Sequence, residues 1–157
     1  MNIFAINLLI AGMWALLAGE FTLTTLGVGY LIGFVALYSV QPVLGGSDYF
    51  LKVPRVIRLF ALFLWALVNS SWRVAYDVLT PKAQNRPGII AVPIRTRTET
   101  ETLLLSSMIS LTPGSLSLDL DEDGKTLFVH AMFADDPDAV RAEIDETLET
   151  PLLEAMS

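Results

Sequence analysis

The chain has 157 residues, 53% of them hydrophobic, with a mean hydropathy of +0.54 and a formal net charge of −7. These values fit a membrane protein with room for one modest domain, and ten Lys/Arg against seventeen Asp/Glu argue against a nucleic-acid partner. The lack of cysteine excludes disulfides and thiolate metal centres.

Charge is divided along the chain. Residues 1–58 carry a net +1, residues 59–97 a net +4, and residues 98–157 a net −12. That order predicts a membrane anchor, a basic juxtamembrane collar and an acidic domain in water.

From Met1 to Ser47 the single charged side chain is Glu20. Two apolar runs, about Asn2–Ala18 and Phe21–Val40, meet at Gly19-Glu20. About 20 apolar helical residues cross a hydrocarbon core of ~30 Å, so the second run meets the length and the first falls slightly short. The pair predicts a transmembrane helical hairpin over residues 1–41. A cleaved leader is the weaker reading, because no Lys or Arg precedes the run and a second run follows at once. Gly29 and Gly33 form a GxxxG, which predicts close helix packing within the hairpin or against a partner. Glu20, at headgroup depth in the turn, reads as a solvated loop residue rather than an ion-handling carboxylate.

Gln41–Val53 contains Pro42, Gly45-Gly46 and Asp48 and predicts a loop. Pro54 suits the first turn of a third helix running to about Leu79, with Pro81 beyond it. Residues 42–80 are thus a loop and a third helix, interfacial or a short span. Its wholly apolar stretch, Leu59–Val68, is bracketed by Arg58 and Arg73. Arg55, Arg58, Asn69, Arg73 and Asp77 fall on one side at helical spacing, with Arg73 and Asp77 an i,i+4 pair. Trp65, Trp72 and Tyr76 suit a headgroup position. If only the hairpin spans, Lys52, Arg55, Arg58, Arg73, Lys82, Arg86, Arg95 and Arg97 share one face of the bilayer. The positive-inside rule favours that layout, with both termini cytoplasmic. A snorkelling short span is the alternative.

Residues 81–97 predict a basic linker and an edge strand, Ile89–Ile94, interrupted by Pro93. Thr98 and Glu101 form a capping box opening a helix that stops at Thr112-Pro113-Gly114. Ser115–Asp121 alternates, with Leu116, Leu118 and Leu120 on one face. Asp123-Gly124 signals a hairpin, and Lys125–Phe133 returns as a strand. Asp136 and Pro137 open a last helix, which Pro151 ends. The expected fold is therefore an α-helical membrane anchor followed, over residues 98–157, by a small acidic α+β domain. Counted with the edge strand, the order is β-α-β-β-α, partial ferredoxin-like, with no room for a deep substrate cleft.

Candidate chemistry is sparse. Asp119-Leu-Asp121-Glu-Asp123-Gly124 matches the opening of an EF-hand loop, but the twelfth position is His130 and the flanks read as strands, so a solvated hairpin tip is favoured. His130, the only histidine, reads as a structural strand residue rather than a proton carrier. Ser106, Ser107 and Ser110 lack a nucleophile-elbow context, and no phosphate loop follows a strand. No enzyme activity, metal or cofactor is expected.

The segment Leu105-Ser-Ser-Met-Ile-Ser-Leu-Thr-Pro-Gly-Ser-Leu-Ser-Leu-Asp119, followed by Leu127-Phe-Val-His-Ala131, resembles the E subunit of Mrp-type multisubunit cation/proton antiporters. The similarity covers nearly the whole chain. It implies an accessory, non-catalytic subunit of a Na+/H+ antiporter complex in the bacterial cell membrane, supporting assembly and docking of larger ion-carrying subunits. It also implies that Leu111, Thr112, Pro113, Gly114 and His130 are structural. The partners expected are the other subunits and membrane lipid. The rival readings are a membrane-tethered sensor or binding module recruiting a soluble partner, and a stand-alone transporter of oligomerised hairpins.

Overall fold

The computed structural model describes residues 3–40, 49–81 and 85–157. They fall into two units, Met1–Val53 and Pro54–Ser157.

The first unit is a helical hairpin. Helix α1 spans Ile3–Ala18 and α2 spans Leu23–Val40. Gly19 turns between them at φ +72°, a left-handed conformation that favours glycine. The Thr22 hydroxyl accepts the Thr25 N–H at 3.1 Å and so caps the start of α2. The buried stripe is Ile3, Asn7, Ala11 and Ala15 on α1 against Gly29, Gly33 and Leu37 on α2. Large side chains point outward instead, as at Leu9, Leu17 and Leu31. Small residues inside and large apolar residues outside is the arrangement a lipid solvent selects. Among the described residues, α2 alone has both the length and the apolarity to cross a bilayer, while α1 is shorter at 16 residues.

Helix α3 spans Tyr49–Leu79, which corrects the expected start at Pro54. Burial explains the early start: Phe50 packs with Ile3 and Leu37, and Tyr49 joins the same cluster. Pro54 lies inside the helix and removes one backbone donor there. The rest of the expected loop, residues 41–48, lies outside the described residues.

The second unit contains the remainder of α3, then β1 (Gly88–Pro93), α4 (Glu99–Leu111), β2 (Ser115–Leu120) and β3 (Thr126–Ala131). It closes with α5 (Pro137–Ile144), a π-helical turn (Asp145–Glu149) and α6 (Thr150–Met156). The strands form one antiparallel sheet in the order β1-β3-β2. Ile90, Val92, Leu127, Val129 and Ala131 line its buried face. Leu105 and Ile109 from α4, with Ile144, Leu148 and Leu152 from the C-terminal helices, cover that face. Leu59, Phe63 and Ala66 of α3 pack against the same core.

Two further expectations are corrected. The β2 leucines do not share a face, because a bulge between Ser117 and Asp119 shifts the register. Leu116 lies beside His130, whereas Leu120 lies beside the buried Leu127. Nor does Pro151 end the last helix. The wide π-helical turn precedes it, and Pro151 sits in the first turn of α6, where a missing N–H costs least. Burial of Pro151 and Leu152 holds the segment in place.

Candidate functional site

Three regions concentrate polar groups, and the first is inside the hairpin. Asn7 is fully buried and donates to the Tyr49 hydroxyl at 2.8 Å. Tyr49 is 2.6 Å from the Tyr30 hydroxyl. The rings of Phe4, Phe34 and Phe50 surround Tyr49 with centroids 5.2–6.2 Å away. Asn7 Oδ1 abuts the Gly33 backbone and accepts no hydrogen bond among the described residues. A Cβ at Gly33 would collide with that oxygen, and one at Gly29 would lie 2.8 Å from Trp14 Cβ. Sequence reasoning singled out the two glycines but missed Asn7, Tyr30 and Tyr49. The available signal was the Asn7 amide in the middle of an apolar run, with two tyrosines on each of α2 and α3.

The second region is the turn from α4 to β2. Thr112 is buried, and its hydroxyl donates to Ile109 O at 2.6 Å. The Ser115 hydroxyl also donates to Ile109 O, at 2.8 Å. The Thr112 backbone N–H reaches the same oxygen at 3.1 Å, so donors from the turn converge on one carbonyl at the end of the helix. Gly114 has φ +90°, and its carbonyl accepts the Met132 N–H at 2.7 Å, tying the turn to the end of β3. A Cβ there would lie 3.3 Å from Val74 Cγ2 of α3. Pro113 lines a crevice with Ala66, Ser70, Arg73 and Glu143. At about 90 Å³ the crevice has room for a few waters, not a substrate. Leu111 is exposed, and His130 is partly exposed between Ile89 and Leu116 on the outer face of the sheet.

The third region is the set of basic residues. Arg58 pairs with Glu154 at 2.6 Å and Arg73 with Glu143 at 2.9 Å. Arg55 donates to the Glu154 carbonyl at 3.3 Å. Arg86 pairs with Asp135 at 3.2 Å. The expected partner of Arg73 was Asp77, but that carboxylate is buried and accepts from Asn85 at 2.9 Å. Arg95 makes the densest knot. Its backbone N–H and guanidinium engage the buried Glu149, and the guanidinium also reaches Asp145 and Thr150. In these ion pairs every side chain but that of Glu149 is at least a third exposed, so each pair contributes little alone, about 0–1 kcal/mol. Together they lay the basic residues against the acids of the C-terminal helices. Lys52 is partly buried in the first turn of α3, and Lys82 lies outside the described residues.

The acidic run Asp119–Gly124 ends β2 and turns toward β3. Gly124 has φ +67° and donates to Asp121 O at 2.8 Å. Asp119 and Asp121 accept the N–H groups of Leu120 and Glu122, each at 2.9 Å. These are turn contacts of short acidic residues with neighbouring backbone. Glu20 is exposed beside Gly19.

The chain is similar to known proteins over nearly its full length. A family model described as Na+/H+ ion antiporter subunit matches residues 7–155. The E subunit of the Na(+)/H(+) antiporter of Alkalihalophilus pseudofirmus is 34% identical over 149 residues, covering 95% of this chain and 94% of that protein. The E1 subunit of the Na(+)/H(+) antiporter of Staphylococcus epidermidis is 31% identical over 129 residues, covering 82% and 81%. Among solved structures, a chain of the Mrp complex from Dietzia sp. DQ12-45-1b superposes with a TM-score of 0.50 at 34% identity, covering 66% of this chain and 96% of that one. A chain of the membrane-bound sulfane sulfur reductase, an archaeal respiratory membrane complex, superposes with a TM-score of 0.59 at 26% identity, covering 96% of each. With the match running from α1 to α6, the chain belongs to the family of Na+/H+ antiporter E subunits.

Proposed function

We propose that this chain is an accessory, non-catalytic subunit of a multisubunit Na+/H+ antiporter complex in the bacterial cell membrane. It supports assembly and docking of the subunits that carry ions. The observation that carries this reading is the interior of the hairpin. Among the described residues, its bonded polar groups are the Asn7 amide and the Tyr30 and Tyr49 phenols, which lie together away from Gly19-Glu20. A proton path across ~30 Å of hydrocarbon needs polar groups or waters in series, and ionisable groups within membranes mark such paths. The stripe between the polar cluster and the turn consists of Ala11, Ala15 and Gly29.

The hairpin crosses the membrane twice, with α1 reaching its short span by local thinning or snorkelled ends. The acidic domain lies in the cytoplasm. Its strand order supports reading it as a ferredoxin-like split β-α-β, with β3 inserted between β1 and β2. Leu111-Thr112-Pro113-Gly114 and His130 act structurally, the turn by joining α4 and β3 to α3.

Transport by the assembled complex tests the reading. Glu20→Gln and His130→Asn leave antiport per assembled complex nearly unchanged, whereas Pro113→Leu with Gly114→Val lowers antiport in proportion to lost complex. Abolished transport in a Glu20→Gln complex of normal abundance would place Glu20 on the ion path and refute the accessory role. Failure of the chain to co-purify with larger hydrophobic subunits in mild detergent would instead favour a tethered binding module.

A further inference from the structure

Helix α3 has two unlike faces. Leu59, Phe63 and Ala66 pack on the domain core, and Arg58 and Arg73 reach Glu154 and Glu143. The opposite face carries Ile57, Leu64, Trp65, Val68, Trp72 and Leu79, between 44% and 84% exposed. At 100° per residue these six form one stripe along about 33 Å of helix. A water-soluble domain turns such a stripe inward, but here the domain occupies the other side. An exposed apolar surface this long marks an interaction site.

We infer that this stripe lies in the headgroup and upper acyl region of the bilayer, so that α3 runs along the membrane surface and carries the acidic domain beneath it. The inference rests on the membrane-protein reading above and goes beyond it in assigning the lipid-facing side of α3. Four observations select lipid as the occupant. Helix α3 begins in the hairpin unit, where Tyr49 bonds Asn7 and Phe50 packs on Leu37, so its first turn is continuous with the membrane anchor. Trp65 and Trp72 lie on the stripe and Tyr76 on its margin, all three exposed, and these are the side chains enriched at headgroup depth. Arg58 borders the stripe two turns before Trp65, and its side chain remains 59% exposed, within reach of lipid phosphates. Finally, the domain holds α3 from Leu59 to the buried Asp77, so a spanning α3 would draw those ion pairs into hydrocarbon. A helix lying in the interface meets all four conditions.

The native chain has no cysteine, so single nitroxide labels can be placed at Ile57→Cys, Val68→Cys and Leu79→Cys in the full-length chain. The labelled chain is assembled in its complex in vesicles of phosphatidylethanolamine and phosphatidylglycerol. Collision with oxygen is then compared with collision with a water-soluble nickel chelate. All three positions should show oxygen collision several-fold above that of a label at Asp123→Cys, at one common depth of roughly 5–10 Å. Depth that changes steadily from 57 to 79 would mean a span and overturn the inference. Aqueous values at all three would overturn it, as would low collision with both reagents, which signals a covering protein partner.

A second measurement needs no label. In the full-length Trp14→Phe chain in vesicles, Trp65 and Trp72 emission should be quenched more by lipids brominated near the carbonyl end of the acyl chain than by lipids brominated near its methyl end. The reverse order overturns the inference. Co-purification of the wild-type chain with larger hydrophobic proteins reports membership of the complex separately, so either reading can fail alone.

Discussion

At Gly33 the hairpin helices touch through an amide oxygen and a bare Cα. Gly27, six residues earlier on α2, faces open space, with nothing within 4 Å of a Cβ placed there. The two glycines therefore make opposite predictions for one substitution. Gly33→Leu forces α1 and α2 apart and breaks the Asn7 contact, so recovery of assembled complex on native gels should fall several-fold. Gly27→Leu adds a side chain toward lipid and should leave recovery unchanged. Equal losses would show that close approach at Gly33 does not set the recovery, since leucine is the better helix former at both positions.

The elements differ in how far local chemistry decides them. Thr98 and Glu101 cap α4 reciprocally, at 3.2 Å for each of the two bonds, and Asp136 caps α5 through Asp138 N and Ala139 N. Both starts follow from side chains bonding backbone two or three residues away, so the sequence alone reveals them. The start of α3, the bulge in β2 and the π-helical turn depend on partners distant in the chain. Tyr49 helps open α3 because Asn7 and Phe34 lie against it, and no window around Pro54 contains that information. The same division applies to the turn after α4. Thr-Pro-Gly announces a helix end, but the reason for glycine is Val74, forty residues earlier, together with φ +90°. Gly114→Ala should destabilise the second unit by about 1–2 kcal/mol from backbone strain alone. Thermal unfolding of the full-length chain in detergent, against Gly124→Ala as a strained but open control, measures the added cost of the Val74 contact.

Across the whole molecule, charge is arranged by cross-pairing. Basic residues of α3 and of the segments flanking β1 meet acids of the C-terminal segment in the pairs Arg58–Glu154, Arg73–Glu143, Arg86–Asp135, Arg95–Asp145 and Arg95–Glu149. The sequence displayed the two blocks of charge but not their meeting, because ion-pair geometry is set by the packing of α3, α5 and α6. Basic residues in the connecting region also predict orientation. An impermeant thiol reagent should leave Asp123→Cys unlabelled in intact cells and label it in inverted vesicles. Labelling from outside would reverse the assigned orientation and move the acidic domain out of the cytoplasm.

The Asn7 amide has a consequence for how the two anchor helices find their alignment. Ala11, Ala15, Gly29 and Gly33 recur every four residues, so sliding one helix past the other by a turn, ~5.4 Å, would bring small residues together again. Van der Waals contact alone discriminates poorly between such alignments. The amide does discriminate, because the observed offset brings it to the Tyr49 hydroxyl, which lies 2.6 Å from that of Tyr30 on α2. One turn away its N–H donor would lose that partner as well, a penalty of about 1–3 kcal/mol. Asn7 thus works as a vernier mark on an otherwise repetitive scale, selecting one alignment of the pair.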